Sequence, residues 1–151
     1  MTYNFDQDAW YDRQRALLEA KRQRGELDEA ALAAALERAM AGLGADDWNA
    51  AFAAHPRIGE RRDDAHGWSA REQAGAADAD AATRQALAEG QRAYEARFGR
   101  IFLTCATGKT ASAMLAELGQ RMHNAPAAEL AVAIEEQGRI TRLRMEKRLD
   151  A

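Results

Sequence analysis

The sequence predicts an all-α fold: one domain over residues 1–151, built as a helical bundle of about seven helices. Three observations carry that expectation. Alanine, leucine, glutamate and arginine, all strong helix formers, dominate the chain. Only two prolines interrupt 151 residues. Apolar residues recur at three- and four-residue spacing, as in Met114, Leu115, Leu118 and Met122.

The first helix is expected from about Asp6 to Arg24, stopped by Gly25 after the basic run "KRQR", which suits a helix C-terminus. The second takes Asp28 as N-cap and runs to about Leu43. The third opens at Asp46 and places Trp48, Ala51 and Phe52 on one face. It ends at His55, because Pro56 clashes with an α conformation in the residue before it. Pro56 to Trp68 reads as a loop, and "SAREQAG" as a short helix capped by Ser69. A longer helix follows from about Asp80 to Arg97. "RIFLTCA" is an apolar run that periodicity leaves open between an extended segment and a buried helical turn. Helices from about Lys109 to His123 and from Pro126 to about Leu149 complete the bundle.

Composition narrows the function classes. With 47% hydrophobic and 30% charged residues and a net charge of −3, the chain reads as an ordinary globular protein, with no call for a nucleic-acid or membrane-surface partner. Any anion site has to be made locally by a few arginines. The single cysteine, Cys105, cannot form an internal disulfide, and no secretory leader or bilayer-length apolar run is recognisable. The expected location is the cytoplasm.

The chemistry-bearing residues each have a plain structural reading beside a functional one. His55 can simply end a helix. It is also placed at a helix exit facing a loop, where an imidazole titrating near neutrality can move protons. Ser69 and Glu72 form a capping box, unless Glu72 and Gln73 point into a cleft. "ATGKTAS" lacks the glycine a phosphate loop needs five residues before Gly108, where Leu103 stands, so nucleotide hydrolysis is not expected. Gly108 reads instead as a helix start. His55, His66 and His123 match no metal-ligand spacing, so no metal and no cofactor is expected. Ser69 and Ser112 lie in no nucleophile elbow. In "GRITRLRMEKRL", Arg142 and Arg144 point to different sides of a helix. If Ile140 and Leu143 face the core, one guanidinium is held partly buried and needs an anion.

Taken together, "DDWNAAFAAHPRIGE", "SAREQAGA", "YEARFGRIFLTCATGK", "MLAELGQRMHNAPAAEL" and "GRITRLRMEKRL" resemble the OHCU decarboxylases, enzymes of purine degradation. Each block is weak alone, and five in order are specific. The resemblance covers Asp46 to Leu149, whereas Met1 to Gly25 does not match the tryptophan-bearing opening of the family's pattern. It implies an all-α, cofactor-free and usually dimeric enzyme. The implied reaction converts 2-oxo-4-hydroxy-4-carboxy-5-ureidoimidazoline to (S)-allantoin, the last step from urate. It also implies site residues: His55 as acid/base, Pro56 shaping the pocket, Ser69, Glu72 and Gln73 holding the ureido and ring groups, and Arg144 gripping the anionic substrate. Main-chain groups around Leu103 and Thr104 would line the ring. Two rival readings are a non-catalytic helical interaction module, and a relative acting on another small ureido or carboxylated heterocycle.

Overall fold

A computed structural model of the protein describes residues 6–59, 72, 74 and 79–150. The fold is all-α. Among the described residues there are six helices and no strand: α1 (Gln7–Gln23), α2 (Glu29–Ala41), α3 (Ala45–Ala53), α4 (Ala81–Phe98), α5 (Ala111–Arg121) and α6 (Pro126–Asp150). The short helix expected after Ser69 falls mostly outside the described residues, although Glu72 and Ala74 within it are helical.

Local chemistry accounts for the helix ends. The carboxylates of Asp6, Asp28 and Asp80 accept from the main-chain N–H groups of Ala9, Ala31 and Thr83, and the Thr110 hydroxyl accepts from Ala113. Each cap satisfies a donor that has no partner inside its helix. That bond also holds the Asp80 carboxyl below its usual range. At the other end of α4, Gly99 takes a left-handed φ of 73° and donates to the Glu95 carbonyl at 2.9 Å, an end that favours glycine.

The chain divides into two compact units, Met1–Ala51 with Gly138–Ala151, and Phe52–Gln137. In the first, α1 packs on α2. Trp10, Tyr11, Leu18, Leu32, Leu36, Met145 and Leu149 form its core. Arg22 donates to the Leu149 carbonyl at 2.7 Å, tying the end of α1 to the end of α6.

In the second unit α4 packs on α5 around Ile58, Leu87, Tyr94, Phe102, Met114 and Leu118, with Leu115 and Met122 half-buried beside them. Gly90 permits this approach: a Cβ there would stand 2.5 Å from Leu118 Cδ2. The run "RIFLTCA" resolves as non-helical chain with Phe102 to Ala106 buried. Gly108 does not start a helix. It occupies a turn at φ 78°, closed by Lys109 N–H on the Ala106 carbonyl, and α5 begins three residues later. A glycine suits that turn because an L side chain resists positive φ.

Candidate active site

α3 ends two residues before His55, a shift from the expected end that Pro56 explains. Pro56 has no N–H to continue the helix and disfavours an α conformation at His55. The last turn tightens instead, with His55 N–H on the Phe52 carbonyl at 3.2 Å. The His55 side chain turns inward and is only 6% exposed. Its Nε2 lies 2.8 Å from Oε1 of Gln137 in α6, a bond across 82 residues. Pro56 is buried as well.

The turn after His55-Pro56 is fastened by Gln91 of α4. Its Oε1 accepts from Ile58 N–H at 2.8 Å while its Nε2 donates to the Ile58 carbonyl at 3.0 Å. A single amide thus satisfies both buried backbone groups of one loop residue, leaving the loop little freedom. Arg57 pairs with Glu95 at 2.6 Å beside it. A cavity of about 520 Å³ borders this loop, lined among others by Arg57, Ile58, Arg84, Leu87, Gln91 and Glu95. His55 is not among the residues that line it.

The Phe102–Ala106 segment is held by charge rather than by a ladder. Arg121 donates to the Leu103 carbonyl at 2.8 Å and to Glu129 at 2.6 Å, and its guanidinium lies 4.7 Å from the Phe102 ring centroid. Thr104 Oγ1 donates to Glu136 at 3.2 Å and accepts from Lys109 at 2.7 Å, and Lys109 also pairs with Glu117 and Glu136. Tyr94 donates to Glu129 at 2.5 Å, with Asn124 on the other carboxylate oxygen.

These contacts set the titrations. Burial pushes the Glu129 carboxyl upward, but Arg121, Tyr94 and Asn124 together outweigh it and hold it low. Glu117 is likewise lowered against its burial by Lys109, Thr104 and Arg121. Burial works to lower Lys109, and the bonds to Glu117 and Glu136 raise it on balance. Burial, followed by the Glu129 carboxylate, pushes Tyr94 up to about 12. Burial raises the Cys105 thiol, and the nearby Glu136 and Glu72 carboxylates add to that. A neutral, enclosed thiol is a poor nucleophile.

Of the residues singled out from sequence, His55, Pro56, Glu72, Leu103 and Thr104 belong to the Phe52–Gln137 unit. The neighbouring residues Glu136 and Gln137 serve two of them: Glu136 holds Thr104 and Gln137 holds His55. Glu72 stands close enough to Cys105 to act on its thiol. Ser69 and Gln73 lie outside the described residues. Arg144 belongs to the other unit, where it is 5% exposed and its charge opposes the upward push that burial gives the Tyr11 phenol. Arg142 is half-exposed and pairs with Glu146 at 3.1 Å. The sequence reading passed over Gln91, Arg121 and Gln137. The polar stretch "GQRAYE" gives no sign of what Gln91 does, and only a polar residue inside an apolar helical stripe could have flagged Gln137.

Among the described residues, no cluster of three or more His, Cys, Asp and Glu side chains could hold a metal ion, and no helix is long and apolar enough to cross a membrane.

Comparison with known proteins gives three concordant findings. The family model described as OHCU decarboxylase matches residues 7–146 and so includes α1. The uric acid degradation bifunctional protein TTL of Arabidopsis thaliana is 43% identical over 107 residues. That alignment covers 67% of this chain but 33% of the plant protein, so the chain spans about a third of that relative's length. A solved structure, "Crystal structure of OHCU decarboxylase in the presence of (S)-allantoin", superposes with a TM-score of 0.72 at 31% identity, covering 97% of this chain and all of that one. The chain belongs to the OHCU decarboxylase family.

Proposed function

We propose that the protein decarboxylates 2-oxo-4-hydroxy-4-carboxy-5-ureidoimidazoline to (S)-allantoin in urate degradation, as a cytoplasmic homodimer needing neither metal nor cofactor. The observation that carries this reading is the buried, hydrogen-bonded His55 at its proline-fixed helix exit, in a chain whose family is named for this reaction.

The substrate supplies its own electron sink. When the bond from ring carbon 4 to the carboxylate breaks, carbon dioxide leaves and the electron pair passes toward the imine at carbon 5. An enol forms at carbon 4, which becomes the ketone as carbon 5 takes a proton. The protein has to add position and proton control. In this reading His55 handles the proton on the 4-hydroxyl or delivers one to carbon 5. Delivery to one face of a held ring yields one enantiomer. Ser69, Glu72 and Gln73 hold the ureido and ring groups, Pro56 shapes the wall, and the main chain at Leu103 and Thr104 lines the ring. Arg144 grips an anionic substrate group through charge-assisted bonds. Its useful action is on the developing enolate, since equal grip on the departing carboxylate would stabilise the ground state too.

The test generates the unstable substrate in situ from urate and follows optical activity without added metal or cofactor. Rapid (S)-allantoin formation above the racemic background is expected. Folded protein that leaves the racemic course unchanged overturns the proposal and favours a non-catalytic helical module.

A further inference from the structure

We propose that Gln137 is a positioning residue that decides which ring nitrogen of His55 carries the proton. The proposal rests on the reading of His55 as the acid/base. Both side chains are buried, His55 6% and Gln137 3% exposed, and Nε2 meets Oε1 at 2.8 Å. An amide oxygen can only accept, so this contact requires Nε2 to hold the hydrogen. In the neutral ring the other nitrogen, Nδ1, then carries the lone pair.

The neutrality of the amide matters as much as its position. A carboxylate at that distance would fix the same tautomer but also stabilise the imidazolium, as in hydrolase triads. An amide orients the ring without committing it to the charged form, which suits a group that must take up and release a proton in one turnover. The carboxylate next in sequence, Glu136, is occupied by Thr104 and Lys109. The α6 backbone therefore presents a neutral acceptor to His55 and a charged one to the Leu103–Thr104 segment from consecutive positions.

The test uses Gln137→Met, which keeps the volume but removes the acceptor, and Gln137→Glu, which keeps an acceptor oxygen. Ring-nitrogen NMR of histidine-labelled full-length protein, at a pH where the ring is neutral, reads the tautomer without any turnover. The Nε2–H signature is expected in the wild type and Gln137→Glu, and a tautomer mixture in Gln137→Met. In the decarboxylation assay, Gln137→Met should lose on the order of tenfold in kcat, the worth of a buried hydrogen bond, with KM within about twofold. A wild-type ring protonated on Nδ1, or an unchanged tautomer in Gln137→Met, overturns the proposal. So does unaltered kcat in Gln137→Met. If the wild type shows the Nε2–H ring but makes no (S)-allantoin, the assigned reaction fails while the hydrogen-bond assignment stands.

Discussion

The interiors of the two compact units are built differently. The unit of Met1–Ala51 and Gly138–Ala151 has a core of Trp10, Tyr11, Leu18, Leu32, Leu36, Met145 and Leu149, with Trp10 edge-on to Tyr11 at 5.3 Å. Removing that apolar area from water stabilises it, and the same unit also buries Thr141 and Arg144. The Phe52–Gln137 unit has an apolar core too, but threads ionic groups through its interior. Glu129 is 0% exposed and receives Arg121, Tyr94 and Asn124. Such groups are costly to bury and are retained where geometry has to be held. Here they hold the non-helical Leu103–Thr104 segment, which the apolar core alone would not orient. In the unit that carries His55, directional bonds thus reach a non-helical segment, at Leu103 and Thr104.

The largest effect expected is on catalysis. His55→Ala should lower turnover by roughly 10²–10⁴-fold, the range for a general acid/base, in protein with unchanged circular dichroism. Near-normal turnover in folded protein would remove His55 from the mechanism.

Next come paired stability measurements by urea unfolding. Glu129→Ala should cost roughly 3–5 kcal/mol, because it removes the fully buried partner of the Arg121 guanidinium and leaves it only the half-buried Glu117 carboxylate. Leu36→Ala in the other unit should cost roughly 2–5 kcal/mol through its cavity. The two losses separate by pH. The folded-state pKa of Glu129 is depressed, so its contribution is complete above the ordinary carboxylate value of roughly 4.3 and disappears as pH falls through the folded value. The Glu129→Ala deficit should shrink in acid, and the Leu36→Ala deficit should not. In base the sign reverses for Tyr94. Its pKa is raised to about 12, so its contribution is full below roughly pH 10 and lost as pH climbs toward the folded value. Parallel acid profiles for both mutants would mean that the ion pair contributes nothing distinctive.

Substrate capture should follow burial of the arginines. Arg144→Ala is expected to raise KM by roughly tenfold or more, the worth of a charged hydrogen bond. Arg142 sits half-exposed on Glu146, so Arg142→Ala should change KM by less than about twofold. Equal kinetic effects would unseat Arg144. The smallest effect is at Gly90. Gly90→Ala gains roughly 1 kcal/mol of helix propensity but drives a methyl into buried Leu118, at a cost of roughly 1–3 kcal/mol. A net loss of about 1 kcal/mol should appear as a lowered Tm.

Helix positions were legible because their signals are local. Asp6, Asp28 and Asp80 act on amides three residues away, and Pro56 restricts its immediate neighbour. The exposed-versus-buried sides of α5 followed from Met114 and Leu118 at helical spacing. The non-helical run at Phe102 was not decidable, because a short apolar stretch fits a buried strand or helix equally and its partner, Arg121, lies 18 residues from the Leu103 carbonyl it holds. Arg142 and Arg144 were separable only as lying on different sides of one helix, and the structure buries Arg144.

The sequence by itself determined the helical class, the Asp28 cap, the break at His55-Pro56 and, through five ordered blocks, the family. These depend on bonds between residues a few positions apart, or on residue types in fixed order. Only the tertiary structure decided that Gln137 meets His55, that Gln91 clasps Ile58 and that Arg121 carries the Leu103 carbonyl. Such pairings join residues brought together by packing, and a polar side chain carries no local mark of the distant group it will satisfy.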